Sequence, residues 1–169
     1  MSDGSDPVAV FAALERAQDA FEMVRQGQIA FEYGISVDVD WKAQLTKACR
    51  LLEVAETLDS QDGYYTAIIQ VCFGALERSI EAYALAMTSD TLRDFQDHQF
   101  SYKRAHQVGL FEQETAEEMR ALYSENRTES YYRGSRPTEE QATAMTELAN
   151  AVHEFSVGQI REGGVCLCD

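Results

Sequence analysis

The sequence predicts an all-α fold, an up-and-down antiparallel bundle of four to five main helices with one further short helix. Only 2 of the 169 residues are Pro, whereas strands joined by turns would need more Pro and Gly punctuation. Apolar residues also recur every three or four positions over long stretches, which is the period of an amphipathic helix. The composition, with 45% hydrophobic and 25% charged residues, is that of a globular protein. We therefore expect a single domain over residues 1–169, with flexible tails at 1–6 and 163–169.

The first two helices are predicted by their starting residues and their apolar spacing. Pro7 suits a first helical turn, and the helix that it opens is expected to run to about Tyr33 and to end near Gly34. Asp40 is a suitable cap for a second helix that begins at Trp41. The apolar stripe of this second helix comprises Leu45, Ala48, Leu52 and Ala55.

The third helix, from Tyr64 to about Met87, has the clearest pattern in the chain. Its apolar residues are spaced by three and four positions without a break, which predicts the central helix of the core. These residues are Ile69, Cys72, Phe73, Leu76, Ile80, Tyr83 and Met87. A shorter and more polar fourth helix is expected from Asp90 to about His106.

Two more helices complete the predicted bundle. The fifth spans about Gln113 to Tyr132, with acidic residues at its start and Arg near its end, as the helix dipole favours. Thr138 and Gln141 form a capping box that opens the last helix. The residues of this helix expected to face inward are Met145, Leu148, Val152 and Phe155. Short connections between the helices favour antiparallel neighbours.

The net charge of the chain bears on its environment and on its possible partners. Asp and Glu number 29 against 14 Lys and Arg, and the formal net charge is −15. A strongly acidic composition that is poor in Lys favours a halophilic protein, since dense carboxylates keep a protein hydrated in high salt. The alternative is an acidic mesophilic protein. A double-stranded DNA partner is disfavoured, because phosphate recognition needs positive charge. No segment approaches the roughly 20 apolar residues of a membrane span, and no leader pattern opens the chain, so we expect a cytoplasmic protein.

The cysteines and histidines predict neither a metal nor a cofactor. Cys49 and Cys72 lie in apolar helical patterns, where Cys usually behaves as a small hydrophobic residue. Cys166 and Cys168 form a C-x-C pair, which offers too few ligands for a metal by itself. The three histidines have no ligand spacing relative to this pair. We expect His153 at the helix surface or at the edge of the core.

The chemically most informative segment is the end of the fifth helix. Residues 103–136 carry six cations and six acids, so this span is neutral within an acidic chain. Arg120, Tyr123, Arg127 and Tyr131 recur at spacings of three and four, which places them on one helical face. Arg binds phosphate with paired hydrogen bonds and Tyr offers a stacking surface, so this face predicts a site for a nucleotide or single-stranded RNA. Further ligand-binding candidates follow at Arg133 and Arg136.

The same segment resembles the HEPN superfamily. The resemblance rests on Arg127-x-x-x-x-Tyr132, on Gly134, on the Pro-Thr-Glu-Glu start of the last helix and on its Val-His-Glu-Phe end, and it covers about residues 112–157. It implies a homodimeric helical bundle. HEPN nucleases carry Arg and, a few residues later, His, and two copies form a composite ribonuclease site; other branches carry Tyr at that position. Here Tyr132 replaces the His, and Tyr is a poor base at neutral pH.

The resemblance therefore implies a degenerate nuclease motif with Arg127 and Tyr132 at the catalytic positions. The expected function is binding of RNA or a nucleotide, or of a nucleotidyltransferase partner in a toxin–antitoxin-type system. We expect no enzyme activity; an active protein would be a metal-independent endoribonuclease.

Two other hypotheses remain open. In one, the protein is a non-catalytic dimerisation module of a halophile, and the Arg cluster pairs with acids such as Glu125 and Glu129 or packs against a second subunit. In the other, the protein is an active ribonuclease that uses His98 or His106 from the preceding helix. Asp94 and His98 lie one turn apart and could share a proton, although such pairs are common on solvated helices.

Overall fold

The computed structural model describes residues 7–25, 32–36, 38–160 and 168. Its contacts divide the chain into two compact units, Met1–Tyr33 and Gly34–Asp169. The helices are α1 (Pro7–Arg25), α2 (Asp40–Asp59), α3 (Tyr65–Met87), α4 (His98–Gln107), α5 (Gln113–Thr128) and α6 (Glu139–Gln159). A 3-10 turn at Leu92–Phe95 precedes α4, and a π-helical turn at Glu129–Arg133 follows α5. No strand occurs among the described residues, and the prediction of an all-α bundle is confirmed.

The first unit contains α1. Five large apolar side chains of this helix are exposed, namely Val8, Val10, Phe11, Leu14 and Phe21. The expectation that the helix continues to Tyr33 is wrong, because Glu32 and Tyr33 are not helical. Residues 26–31 lie outside the described part of the chain. Gly34 then adopts a φ of +85°, a conformation that suits a turn and not a right-handed helix.

In the second unit, α2 and α3 form an antiparallel hairpin. Gln44 near the start of α2 contacts Glu81 near the end of α3, and Leu51 approaches Gly74 in the middle. A turn with positive φ at Asp62 and Gly63 reverses the chain. The predicted stripe of α2 is confirmed, since Leu45, Ala48, Leu52 and Ala55 are all buried. The hairpin therefore forms one side of the apolar core.

Helix α3 is the centre of the bundle, as its spacing predicts. It packs against α2, α4 and α6. Six of the seven predicted core residues of α3 are buried, and Met87 is half-buried. Two acids of α3 that the apolar pattern does not include, Glu77 and Glu81, are also buried, at 3% and 1% exposure. Buried carboxylates need partners, and these two have them in α4 and α2.

Helix α6 runs in the same direction as α3. The Cys72 Sγ atom lies 3.6 Å from Thr146 Oγ1, and Ser79 Oγ lies 2.9 Å from His153 Nδ1, so both pairs have a separation of 74 residues. This differs from a simple up-and-down order. The α4–α5 pair lies between α3 and α6 in the chain, and α6 packs on α3 as a parallel neighbour.

The structure shows how α5 ends and how α6 begins. After Thr128 the fifth helix widens into the π-helical turn, which Gly134 ends with a φ of +65°. The predicted capping box is confirmed, since Thr138 Oγ1 accepts from Gln141 N at 3.2 Å and Gln141 Oε1 accepts from Thr138 N at 2.9 Å. Phe155 was expected inside but is 43% exposed, with its ring stacked on Phe111 at 5.2 Å.

The expected position of His153 is wrong. His153 is only 2% exposed and lies where α6 packs against α3. The imidazole is tolerated there because Ser79 Oγ lies within hydrogen-bonding distance of Nδ1. Burial lowers the pKa of His153, so the interior favours the neutral ring.

Helix length and polarity exclude a membrane span in the part of the chain that the structure describes. None of its helices combines sufficient length with sufficient apolar character to cross a bilayer.

Candidate functional site

Three helices of the second unit form a cleft that brings Arg127 and His98 together. The cleft has a volume of about 360 Å³. Its walls come from α3, from the start of α4 and from the end of α5. The lining residues are Gln70, Phe73, Gly74, Glu77, His98, Tyr123, Asn126 and Arg127. We call this the α3–α5 cleft.

His98 is held in the cleft by a buried carboxylate. Its Nδ1 atom lies 2.7 Å from Glu77 Oε2; the His98 side chain is 59% exposed, whereas that of Glu77 is 4% exposed. Asp97 caps α4 by accepting from Gln99 N at 3.0 Å, which starts the helix at His98. With Nδ1 directed at Glu77, Nε2 is the ring nitrogen that can meet a ligand. The pair has the arrangement of an oriented acid–base group.

The protonation of Glu77 is governed by its surroundings. Burial raises the pKa of Glu77, while its contacts with His98 and Tyr102 act in the opposite direction. Tyr102 donates to Glu77 Oε1 at 3.1 Å from a fully buried position. Burial, together with the neighbouring Glu77 carboxylate, raises the pKa of Tyr102 above its ordinary value, so this phenol remains a donor. Both oxygens of Glu77 therefore have hydrogen-bonding partners.

Tyr123 connects Arg127 to the aromatic interior of the cleft. Arg127 NH1 donates to Tyr123 OH at 3.0 Å, which confirms that these two residues share one face of α5. The Tyr123 ring lies 5.4 Å from that of Phe73, 5.7 Å from that of Tyr102 and 6.1 Å from that of His98, measured between centroids. These ring contacts fix Tyr123, and Tyr123 in turn orients the guanidinium.

The other predicted site residues whose side chains the structure describes do not line the α3–α5 cleft. Arg120 lines a second cleft, of about 300 Å³, with Lys103, His106 and Glu117 among its neighbours. Arg133 forms an ion pair with Glu129 at 2.8 Å, which is the carboxylate pairing of the alternative hypothesis. The remaining two described candidates, Tyr132 and Arg136, are exposed, and Tyr132 does not line the cleft. The side chain of Tyr131 lies outside the described part of the structure.

The suggested Asp94–His98 pair is not formed. Asp94 Oδ2 instead accepts from Thr91 N at 2.7 Å and from Thr91 Oγ1 at 2.9 Å, as the cap of the 3-10 turn. The chain turns between the two residues, so the helical spacing on which the pairing depended does not apply. The true partner, Glu77, lies 21 positions earlier. A sequence signal existed, because an acid at an inward position of an apolar helix needs a buried partner.

A second cluster of reactive side chains lies elsewhere in the second unit. Cys49, His153 and Cys168 bring two sulfurs and a ring nitrogen within 4.8 Å of one another. Cys49 and Cys168 form a disulfide. Sequence spacing predicted no such set, since the three residues come from α2, α6 and the end of the chain. Cys166, the other half of the C-x-C pair, lies outside the described residues.

Comparison with known proteins identifies a family but no activity. The family model described as "Domain of unknown function (DUF8154)" matches residues 5–168. No curated protein gives a significant match. No solved structure gives one either. Since the model covers nearly the whole chain, the protein belongs to the DUF8154 family.

Proposed function

We propose that the α3–α5 cleft binds a phosphate group of single-stranded RNA or of a nucleotide. The observation that carries this proposal is the presence of Arg127 and His98 on the walls of one open cleft with an aromatic interior. A guanidinium and an imidazole are the groups with which proteins commonly hold phosphate oxygens. Tyr123 offers a ring edge or face to a base.

The surrounding charges support a ligand at this cleft. The Glu77 carboxylate would repel a phosphate, but it is 4% exposed and its oxygens contact His98 and Tyr102. Arg127 is exposed, and in the cleft it donates to the neutral hydroxyl of Tyr123. A formal charge of −15 opposes any polyanion at long range, so binding should rely on short-range contacts and should tolerate salt.

We also propose the wider setting that the resemblance to HEPN proteins implies. The protein would be a cytoplasmic homodimer of a halophile, and it would act with RNA or with a nucleotidyltransferase partner in a toxin–antitoxin-type system. Five apolar side chains on α1 are exposed, and apolar residues on one helix favour burial against another surface.

The binding proposal is tested by fluorescence anisotropy of a labelled single-stranded RNA, at low and at molar salt. We expect Arg127→Ala to weaken binding about tenfold or more, because a charge-assisted hydrogen bond contributes about 1.5–3 kcal/mol. Lys47→Ala is the matched control, since it removes one exposed positive charge from α2, away from the cleft. Equal affinity of the wild type and Arg127→Ala would refute the proposal.

The same variants test the interaction-module hypothesis. If Arg127 serves a subunit interface, Arg127→Ala should raise the dimer dissociation constant and leave RNA affinity unchanged. Sedimentation velocity over a range of protein concentrations measures that constant. Arg133 is already paired with Glu129, so Arg133→Ala should not change the dimer unless the whole Arg cluster forms the interface.

RNA cleavage is a second candidate function, favoured by the Glu77–His98 pair. His98 Nε2 would take the proton of a ribose 2′-hydroxyl, and the 2′-oxygen would attack the adjacent phosphorus. The bond from phosphorus to the 5′-oxygen of the next nucleotide would break, and that oxygen would take a proton from water. His98→Ala should then slow cleavage by about 10²–10⁴-fold at saturating RNA, where weaker binding no longer affects the rate. Incubation of the wild type with mixed RNA, followed by gel electrophoresis, gives the rate. RNA that stays intact with the wild-type protein would exclude this function.

A further inference from the structure

Cys49, His153 and Cys168 converge from three distant parts of the chain. His153 Nε2 lies 3.6 Å from Cys49 Sγ and 3.2 Å from Cys168 Sγ. Cys49 and His153 are buried, at 3% and 2% exposure, and Cys168 is half-buried. The two cysteines are separated by 119 positions, and their Cα atoms are 5.1 Å apart. The packing of α2 against α6 thus places the last part of the chain beside a buried imidazole.

The orientation of the His153 ring is set by Ser79. Ser79 Oγ donates its only proton to Ala75 O at 2.8 Å, so it acts as the acceptor towards His153 Nδ1 at 2.9 Å. The proton of the neutral ring is therefore on Nδ1. Nε2, the nitrogen that bears the lone pair, is directed at the two sulfur atoms. A histidine whose far nitrogen is held by a hydrogen bond to a neighbouring group is the usual arrangement of a metal ligand.

We propose that, with the Cys49–Cys168 disulfide reduced, these three side chains bind Zn²⁺. Two thiolates and one imidazole form a donor set that Zn²⁺ prefers over Mg²⁺ or Ca²⁺. Zn–S and Zn–N bonds of about 2.3 and 2.05 Å in a tetrahedron place sulfur and nitrogen about 3.6 Å apart. The observed nitrogen–sulfur distances of 3.6 and 3.2 Å are close to that value.

The disulfide is converted to the zinc-bound form by reduction followed by metal binding. A thiol or phosphine reductant supplies two electrons to the disulfide, which with two protons gives two thiols. Zn²⁺ then displaces those two protons and forms two S–Zn bonds, and the lone pair of His153 Nε2 forms the third. Once the S–S bond is broken, the sulfurs can separate to the roughly 3.8 Å that a tetrahedral site needs. A water molecule suffices for the fourth position.

Bound Zn²⁺ would hold residue 168 against α2 and α6. The disulfide and the metal use the same sulfur atoms, so each excludes the other, and either one fastens residue 168 to α2. Because Zn²⁺ would bind the folded chain and not the unfolded one, it should raise the stability of the reduced protein. None of the three ligands lines the α3–α5 cleft, so this inference stands apart from the proposed function.

The test uses the full chain, reduced with a phosphine under anaerobic conditions and titrated with Zn²⁺ against a chromophoric chelator. We expect one Zn²⁺ per chain, and a Co²⁺-loaded sample should show a thiolate-to-cobalt charge-transfer band and the intense visible bands of tetrahedral coordination. Cys49→Ser, Cys168→Ser and His153→Ala should each weaken Zn²⁺ binding about tenfold or more. Cys72→Ala is the matched control, since Cys72 is a buried thiol outside the cluster, and it should bind Zn²⁺ like the wild type.

A second measurement needs no variant. Reduced wild-type protein is treated with an alkylating agent in the presence and absence of Zn²⁺, and modification of each cysteine is followed by mass spectrometry. Zn²⁺ should slow alkylation of Cys49 and Cys168 more than that of Cys72. The proposal is overturned if Zn²⁺ protects Cys49, Cys72 and Cys168 equally or protects none of them, or if the Co²⁺ spectrum lacks the thiolate band.

Discussion

Replacement of Glu81 by alanine should lower the free energy of unfolding by about 3–5 kcal/mol, because it removes the acceptor that three helices share. Glu81 is only 1% exposed on α3. Its Oε2 accepts from Gln44 of α2 and, at 2.6 Å, from Arg78. Its Oε1 accepts from Ser101 of α4 at 2.9 Å. Without the carboxylate, the amide of Gln44 and the hydroxyl of Ser101 lose their acceptor inside the core.

Urea denaturation monitored by circular dichroism measures this effect. Glu53→Ala is the matched control, since Glu53 is an exposed acid of α2 whose ion pair with Arg50 is on the surface, and it should change stability by about 0.5 kcal/mol or less. Glu81→Gln keeps the shape and one acceptor oxygen, so its loss should fall between the two. Similar losses for Glu81→Ala and Glu53→Ala would show that the buried network contributes little.

Glu77→Gln should change how stability depends on pH. Burial raises the pKa of Glu77 above its ordinary value, so the folded protein holds this proton more tightly than the unfolded chain does. The contribution of that proton to stability is present at low pH and is lost as pH rises through the raised pKa. Gln does not titrate. Relative to the wild type, the variant should therefore gain stability as pH rises above the ordinary Glu range, and the gain should then level off.

The groups that face Glu77 define the controls for this experiment. They are His98 and Tyr102 from α4 and Glu81 from α3. His98 partly offsets the burial, so in a His98→Gln background the pH-dependent gain from Glu77→Gln should be larger. Glu147→Gln, which removes one carboxylate at an exposed position of α6, is the matched control variant. A stability difference for Glu77→Gln that is constant from acidic to neutral pH would contradict the prediction.

The sequence alone determined the helices and part of the candidate site. The apolar period of α3 and the capping residues of α6 are local features, and they predicted both helices because a helix is specified by its own neighbours in the chain. The spacing of Tyr123 and Arg127 also predicted a shared face, which their hydrogen bond confirms. Each of these predictions depends on residues a few positions apart.

Only the tertiary structure decided which distant residues meet. Glu77 and His98 pair across 21 positions, and Cys49 meets Cys168 across 119. No local period carries such information, because the partner of a buried polar group depends on how whole helices pack. The sequence predicts His153 near the surface. The parallel packing of α6 on α3 instead buries its imidazole, which faces two sulfur atoms. Helix formation is a local property of the backbone, whereas a site is a long-range property of the packed core.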